Sequence, residues 1–153
     1  MRRALRLVPV GDWPRERARG RVTLDYDARH RRRLRLATDD GEPFLLDLPR
    51  AAAMADGDGL ALDDGGWIEI CAKAEALLEV TAPPELLCRL AWHIGNRHIP
   101  AAIERHRILI RDDHVIAEML YRLGANVRHV HEPFAPEAGA YAEHEHHAAL
   151  HDH

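Results

Sequence analysis

Along the first half of the chain, apolar residues come in short runs separated by turn-forming residues. Leu5-Arg6-Leu7-Val8 predicts a first strand, broken over residues 11–14, and residues 22–26 predict a second. Arg33-Leu34-Arg35-Leu36 alternates polar and apolar side chains with the two-residue period of a half-buried strand. Residues 34–38 and 44–48 predict a hairpin around Asp39-Asp40-Gly41, and residues 61–62 and 67–70 flank a second turn, Asp63-Asp64-Gly65-Gly66. The pattern describes a small all-β domain over residues 1–74.

Near residues 72–75 the period changes. Leu77-Leu78-Glu79-Val80 predicts a strand ended by Pro83-Pro84, and Pro84 suits the first turn of a helix. Leu86, Leu87, Leu90 and Ile94 then recur at helical spacing and predict one buried face. Residues 101–110 hold two strands with a turn near residues 105–107. Asp112 or Asp113 is a good N-cap for a second helix, whose apolar face is Ile116, Met119, Leu120 and Leu123 and whose stop is Gly124. Residues 125–131 predict a last strand. Strand, helix, strand, strand, helix, strand is the order of a ferredoxin-like domain, expected here over residues 75–141 in an α+β chain. Residues 142–153 have no packable apolar pattern and are expected to form a mobile tail.

Composition narrows the class. A chain of 153 residues with 46% hydrophobic content has room for a packed core in one ordinary domain or two small ones. The two cysteines, Cys71 and Cys88, are too far apart for a CxxC pair; they are expected to be small core residues in a reducing compartment. No apolar run is long enough for a signal peptide or a membrane span, so a soluble cytoplasmic protein is expected. Charge is segregated: residues 1–35 hold 12 Arg against 4 acids, a net of +8, while residues 36–153 hold 9 Lys or Arg against 21 acids, a net of −12. Such asymmetry suits docking to an acidic partner. Nucleic acid is disfavoured, because no aromatics interleave the arginines to stack bases.

Chemistry concentrates in histidines. Trp92-His93-Ile94-Gly95-Asn96-Arg97-His98-Ile99-Pro100 resembles the WH-[LI]-GNRH-x-P motif of the UreE family of urease accessory proteins. Pro133-Phe134-Ala135-Pro136-Glu137-Ala138-Gly139-Ala140-Tyr141 resembles that family's PF-x-PEAGAY segment, and Arg33-Leu34-Arg35-Leu36, Thr38-Asp39-Asp40-Gly41 and Asp47-Leu48-Pro49-Arg50 are similar to its N-terminal part. The resemblance covers nearly the whole chain. It implies a homodimeric nickel metallochaperone, not an enzyme, with no catalytic residues. Such a protein binds Ni(II), meets the GTP-hydrolysing accessory protein UreG and helps load the urease apoprotein. The motif's last histidine, here His98, is implied to be the metal ligand on the dimer axis.

The residues themselves suit that role. Gly95 and Asn96 take positive φ most easily and are expected to close the helix, while Pro100 discourages a helical restart, so His98 sits at a fixed bend. One imidazole cannot complete a nickel sphere, but a two-fold dimer brings two copies together and leaves other positions open for release. His114 is a second candidate ligand. Many family members have His-Asp-His where this chain has Asp112-Asp113-His114, so a carboxylate replaces one imidazole. His129 and His131 share one strand face; His93 lies in the first helix; His106 has no evident partner; and His30, among polar neighbours, reads as a solvated turn residue. His144, His146, His147, His151 and His153 give the tail five imidazoles that can collect metal. Imidazole sites also accept Cu(II) and Zn(II), so nickel is implied by the resemblance and not by ligand chemistry. A cytoplasmic metal buffer without a urease partner is the alternative. A hydrolytic metalloenzyme lacks support, since no HExxH and no nucleophile motif occurs.

Overall fold

The computed structural model describes residues 1–138, a mixed α+β arrangement of two sheets and two helices. The chain groups into two compact units. The first takes Met1–Glu75 together with His131–Phe134, and the second takes Ala76–Val130 and the segment that begins at Ala135.

The first unit is built on a six-stranded sheet of order β2-β6-β5-β1-β4-β3. Its strands are β1 (Arg2–Val8), β2 (Ala18–Leu24), β3 (Arg33–Ala37), β4 (Pro43–Asp47), β5 (Gly59–Leu62) and β6 (Trp67–Ala72). The two expected hairpins form: β3 pairs antiparallel with β4, and β5 with β6. Each turns on a glycine in the left-handed region, Gly41 at φ 90 and Gly65 at φ 89, where a side chain would be strained. Parallel pairings of β1 with β4 and β2 with β6 join the pieces. One sheet face buries Phe44, Leu46, Leu60, Ile68 and Ile70 completely. β2 begins at Ala18, four residues before the predicted start at residue 22, because pairing with β6 extends it through the polar Arg19-Gly20-Arg21.

Residues far apart in sequence close this unit. Phe134 is fully buried, with its ring edge-on to Tyr26 at 5.2 Å. Arg29, only 3% exposed, donates through its guanidinium to the carbonyls of Met54 and Phe134, and its Nε has no partner. No acid is within ion-pair distance of this buried cation among the described residues, so the two carbonyls carry its solvation. The arginine-rich run is therefore not uniformly a solvated surface.

The second sheet has the order β10-β7-β9-β8, and the second unit takes β7 (Ala74–Thr81) from Ala76 onward, α1 (Pro84–Asn96), β8 (Ala102–Ile103), β9 (Ile108–Arg111), α2 (His114–Arg122) and β10 (Asn126–Pro133) as far as Val130. β7 pairs antiparallel with β9, and β8 with β9. Leu87, Leu90 and Ile94 of α1 and Ile116 and Leu120 of α2 pack with Leu78, Val80, Ile108 and Ile110 of the sheet. Leu123, predicted on the buried face of α2, is 37% exposed, because the helix ends at Arg122 and Leu123 is its C-cap. Gly124 comes next at φ 99 as the helix stop. Glu79 of β7 is almost buried and is held by Arg107 at 2.9 Å and Arg128 at 2.7 Å. These guanidiniums, Arg128 first, hold its carboxyl below the usual range. The cysteine expectation fails for Cys88, which is exposed on α1; Cys71 is half-buried, and both thiols are free. No helix among the described residues is long and apolar enough to cross a membrane.

Candidate metal centre

Helix α1 aims the central motif. Pro84 occupies its first turn, where a missing N–H costs nothing, and Leu87, Leu90 and Ile94 fix its buried side. The motif residues between them face outward: Trp92 is 65% exposed, its ring edge-on to that of half-buried His93 at 5.2 Å. The expectation that Gly95 and Asn96 close the helix through positive φ is overturned. Both remain helical, and the last turn tightens, with Arg97 N–H donating to Ile94 C=O at 3.1 Å and His98 N–H to Gly95 C=O at 3.0 Å. The left-handed residue is His98 itself, at φ 58, the one described non-glycine residue with positive φ. Beyond it Ile99 packs against the core, so the reversal is pinned on both sides. The His98 imidazole is exposed and has no side-chain partner among the described residues. The second motif comes close: Glu137 N–H donates to Ala101 C=O at 2.8 Å, three residues past His98.

The Asp112-Asp113-His114 triplet divides its work. Asp113 is the N-cap of α2, and its Oδ1 accepts from Val115 N–H at 2.9 Å and Ile116 N–H at 3.2 Å. Asp112 stands free of that duty, and its Oδ1 lies 3.4 Å from His129 Nε2 on β10. This pairing has no sequence signal, since it needs the start of α2 and the last strand to be placed side by side. A separation of 3.4 Å matches two ligand atoms on one tetrahedral ion with bonds of about 2.1 Å. His114, the first residue of α2, is exposed, as are His106 and His131. A shallow, mostly apolar groove lined by Leu78, Ala117, Tyr121 and Val127 borders His129. His30 is exposed in a short 3-10 turn, with Nδ1 2.7 Å from Tyr26 C=O, as its polar surroundings suggest.

Among the described residues, no three His, Cys, Asp or Glu side chains come close enough to hold a metal together. His144, His146, His147, His151 and His153 lie outside the described residues. The described chain therefore offers one lone, fixed imidazole at His98 and one carboxylate–imidazole pair at Asp112 and His129.

Comparison with known proteins gives two family matches. Residues 3–73 match the N-terminal domain of the UreE urease accessory protein, and residues 75–153 match its C-terminal domain. The chain is 50% identical over 147 residues to the urease accessory protein UreE of Bradyrhizobium sp. (strain ORS 278), covering 95% of this chain and 70% of that protein. It is 53% identical over 132 residues to the protein of that name from Chelativorans sp. (strain BNC1), covering 86% and 84%. For Rhodobacter capsulatus the figures are 49% over 141 residues, covering 92% and 87%.

Proposed function

The chain belongs to the UreE family of urease accessory proteins, and from that premise we propose that it binds Ni(II) at His98 and delivers it to the urease apoprotein during active-site assembly. By family it is an accessory protein of urease maturation and not a catalyst. The observation that carries the nickel reading is the state of His98. Its imidazole is exposed and unengaged, yet its backbone is held in a conformation that few side chains adopt. A structural histidine would have a partner; a ligand kept ready for cargo would not.

Two His98 nitrogens, one from each chain of a homodimer, leave most of the coordination sphere open, which suits a carrier. Trp92, exposed on the helix that ends two residues before His98, supports a second copy covering this surface. We read the second unit as ferredoxin-like, its helices lying in the connections of the β10-β7-β9-β8 sheet, and the division as residues 1–74 for partner binding and 75–141 for dimerisation and metal. His114, with the pair Asp112–His129, and the tail imidazoles His144, His146, His147, His151 and His153 act as weaker sites that feed the axial one. UreG and the urease apoprotein complex are the partners, in the cytoplasm. Cu(II) and Zn(II) compete in vitro, since imidazole favours copper over nickel.

The test is urease activation at limiting nickel. His98→Ala is expected to abolish activation, because both axial nitrogens disappear together, while thermal melting stays near wild type. Full activation by a normally folded variant would sink the proposal. The dimer is tested separately by light scattering of the metal-free protein, expected at twice the 17.3 kDa chain mass.

A further inference from the structure

We infer that Arg97 draws a carboxylate of the acceptor to His98, so that nickel leaves by exchange onto an anionic oxygen ligand. The inference rests on the His98 reading above and adds the chemistry of release. Arg97 is the C-cap of α1 and the residue just before His98. Its N–H donates to the carbonyls of Ile94 and Gly95. The backbone that carries the guanidinium is thus fixed, one peptide step of about 3.8 Å from that of His98. The side chain is exposed, and among the described residues no carboxylate is within ion-pair distance of it.

The surroundings are basic where a site built to grip a cation would be acidic. Arg89 and His93 precede Arg97 at four-residue steps along α1, and Arg89 is also exposed without an ion pair among the described residues. Glu85, the one acid of α1, lies twelve residues from Arg97, about 18 Å along the axis. Glu104 is taken by Arg107 at 3.2 Å. Glu137, whose N–H bonds to Ala101 C=O, keeps its carboxylate beyond ion-pair distance of Arg97. A guanidinium beside a dicationic cargo repels it, so Arg97 does not help nickel to stay. The helix dipole favours a base at this end, but through backbone carbonyls, and it leaves the planar fork of N–H donors unengaged. That fork matches a carboxylate, two donors to two oxygens. A carboxylate has about four lone-pair sites, so it can accept from the guanidinium and still bind metal. On the two-fold axis proposed above, a second Arg97 stands beside the second His98. The step is a ligand exchange. One bond from nickel to a His98 nitrogen breaks as one bond to a carboxylate oxygen forms; the imidazole stays neutral, and the metal stays Ni(II).

The test follows nickel leaving the full chain, loaded with one Ni(II) per dimer, by stopped flow. Two chelators take it: nitrilotriacetate, which attacks through carboxylates, and phenanthroline, which is uncharged. The ratio of the nitrilotriacetate rate to the phenanthroline rate is expected to fall about fivefold or more in Arg97→Gln. Arg97→Lys, which keeps the charge, is expected to restore most of that ratio. Raising salt from about 50 mM to about 500 mM should lower the wild-type ratio and leave that of Arg97→Gln unchanged. A purely structural role would move both rates alike. His98→Ala separates this inference from the reading it rests on. Transfer from His98→Ala at the wild-type rates would overturn the His98 site and this inference with it. With His98→Ala altered, an unchanged ratio in Arg97→Gln, or no recovery in Arg97→Lys, would overturn this inference alone.

Discussion

At the scale of single residues, the informative position is His98. Its location was legible, because the motif spells it out, but its conformation was not. Glycine and asparagine propensity pointed to Gly95 and Asn96 as the left-handed residues. Propensity is a weak guide where the next stretch of chain is already committed. Pro100 biases Ile99 toward an extended backbone, and Ile99 packs on the core, so the reversal falls on the residue between the tightened last turn and this anchor. Histidine tolerates that region better than most side chains, yet a non-glycine residue there still costs about 1 kcal/mol. His98→Gly should therefore raise the stability of the metal-free protein by about 0.5–1 kcal/mol while removing its tight nickel site. Urea denaturation and nickel calorimetry on one sample measure both; a destabilised glycine variant would mean that the imidazole has a packing role. Asp112 shows the opposite limit. Its contact with His129 is plain in space and silent in the sequence.

At the scale of elements, period and turn chemistry served well where partners are local. Asp39-Asp40-Gly41 and Asp63-Asp64-Gly65-Gly66 marked both hairpins, and Asp113 caps α2 as its type and place suggest. Elements whose extent depends on distant pairing were misplaced, as with the start of β2. Glu79 is a related case, an acid within an apolar strand whose partners, Arg107 and Arg128, lie on later segments. It ties β7 to β10 and to the β8–β9 connection. Its folded pKa lies below its unfolded value, so its stabilisation is present above about pH 4.3 and is lost as pH falls through the folded value. Glu79→Gln should cost about 1 kcal/mol at pH 7. The gap between variant and wild type should close as pH drops to about 3. Urea midpoints across that range measure it, and a gap that stays constant with pH would assign the cost to packing.

At the scale of the whole molecule, one family match ends at residue 73 and the other begins at residue 75. What a linear reading does not express is that His131–Phe134 groups with the first unit. Burial of Phe134 and the bond to Arg29 arise from tertiary placement, and no local pattern announces them. The separation of fixed and tail imidazoles gives a prediction at this scale. Deleting residues 144–153 should lower the number of nickel ions bound per dimer in calorimetry yet retain at least one, because His98 stays in place. Complete loss of binding would make the tail the principal site.

The contact between Arg29 and Phe134 also sets a timetable for synthesis. A ribosome finishes residue 75 long before it reaches Phe134, with roughly sixty residues between them. At about 5–20 residues per second, the nascent first unit waits roughly 3–12 s. During that interval its slot for the phenylalanine ring stands open, and one of the carbonyls that will solvate the buried guanidinium has not yet been made. The unit that begins the chain is thus among the last parts to be completed, and its unfinished apolar slot is a natural client for chaperones that attend emerging polypeptides.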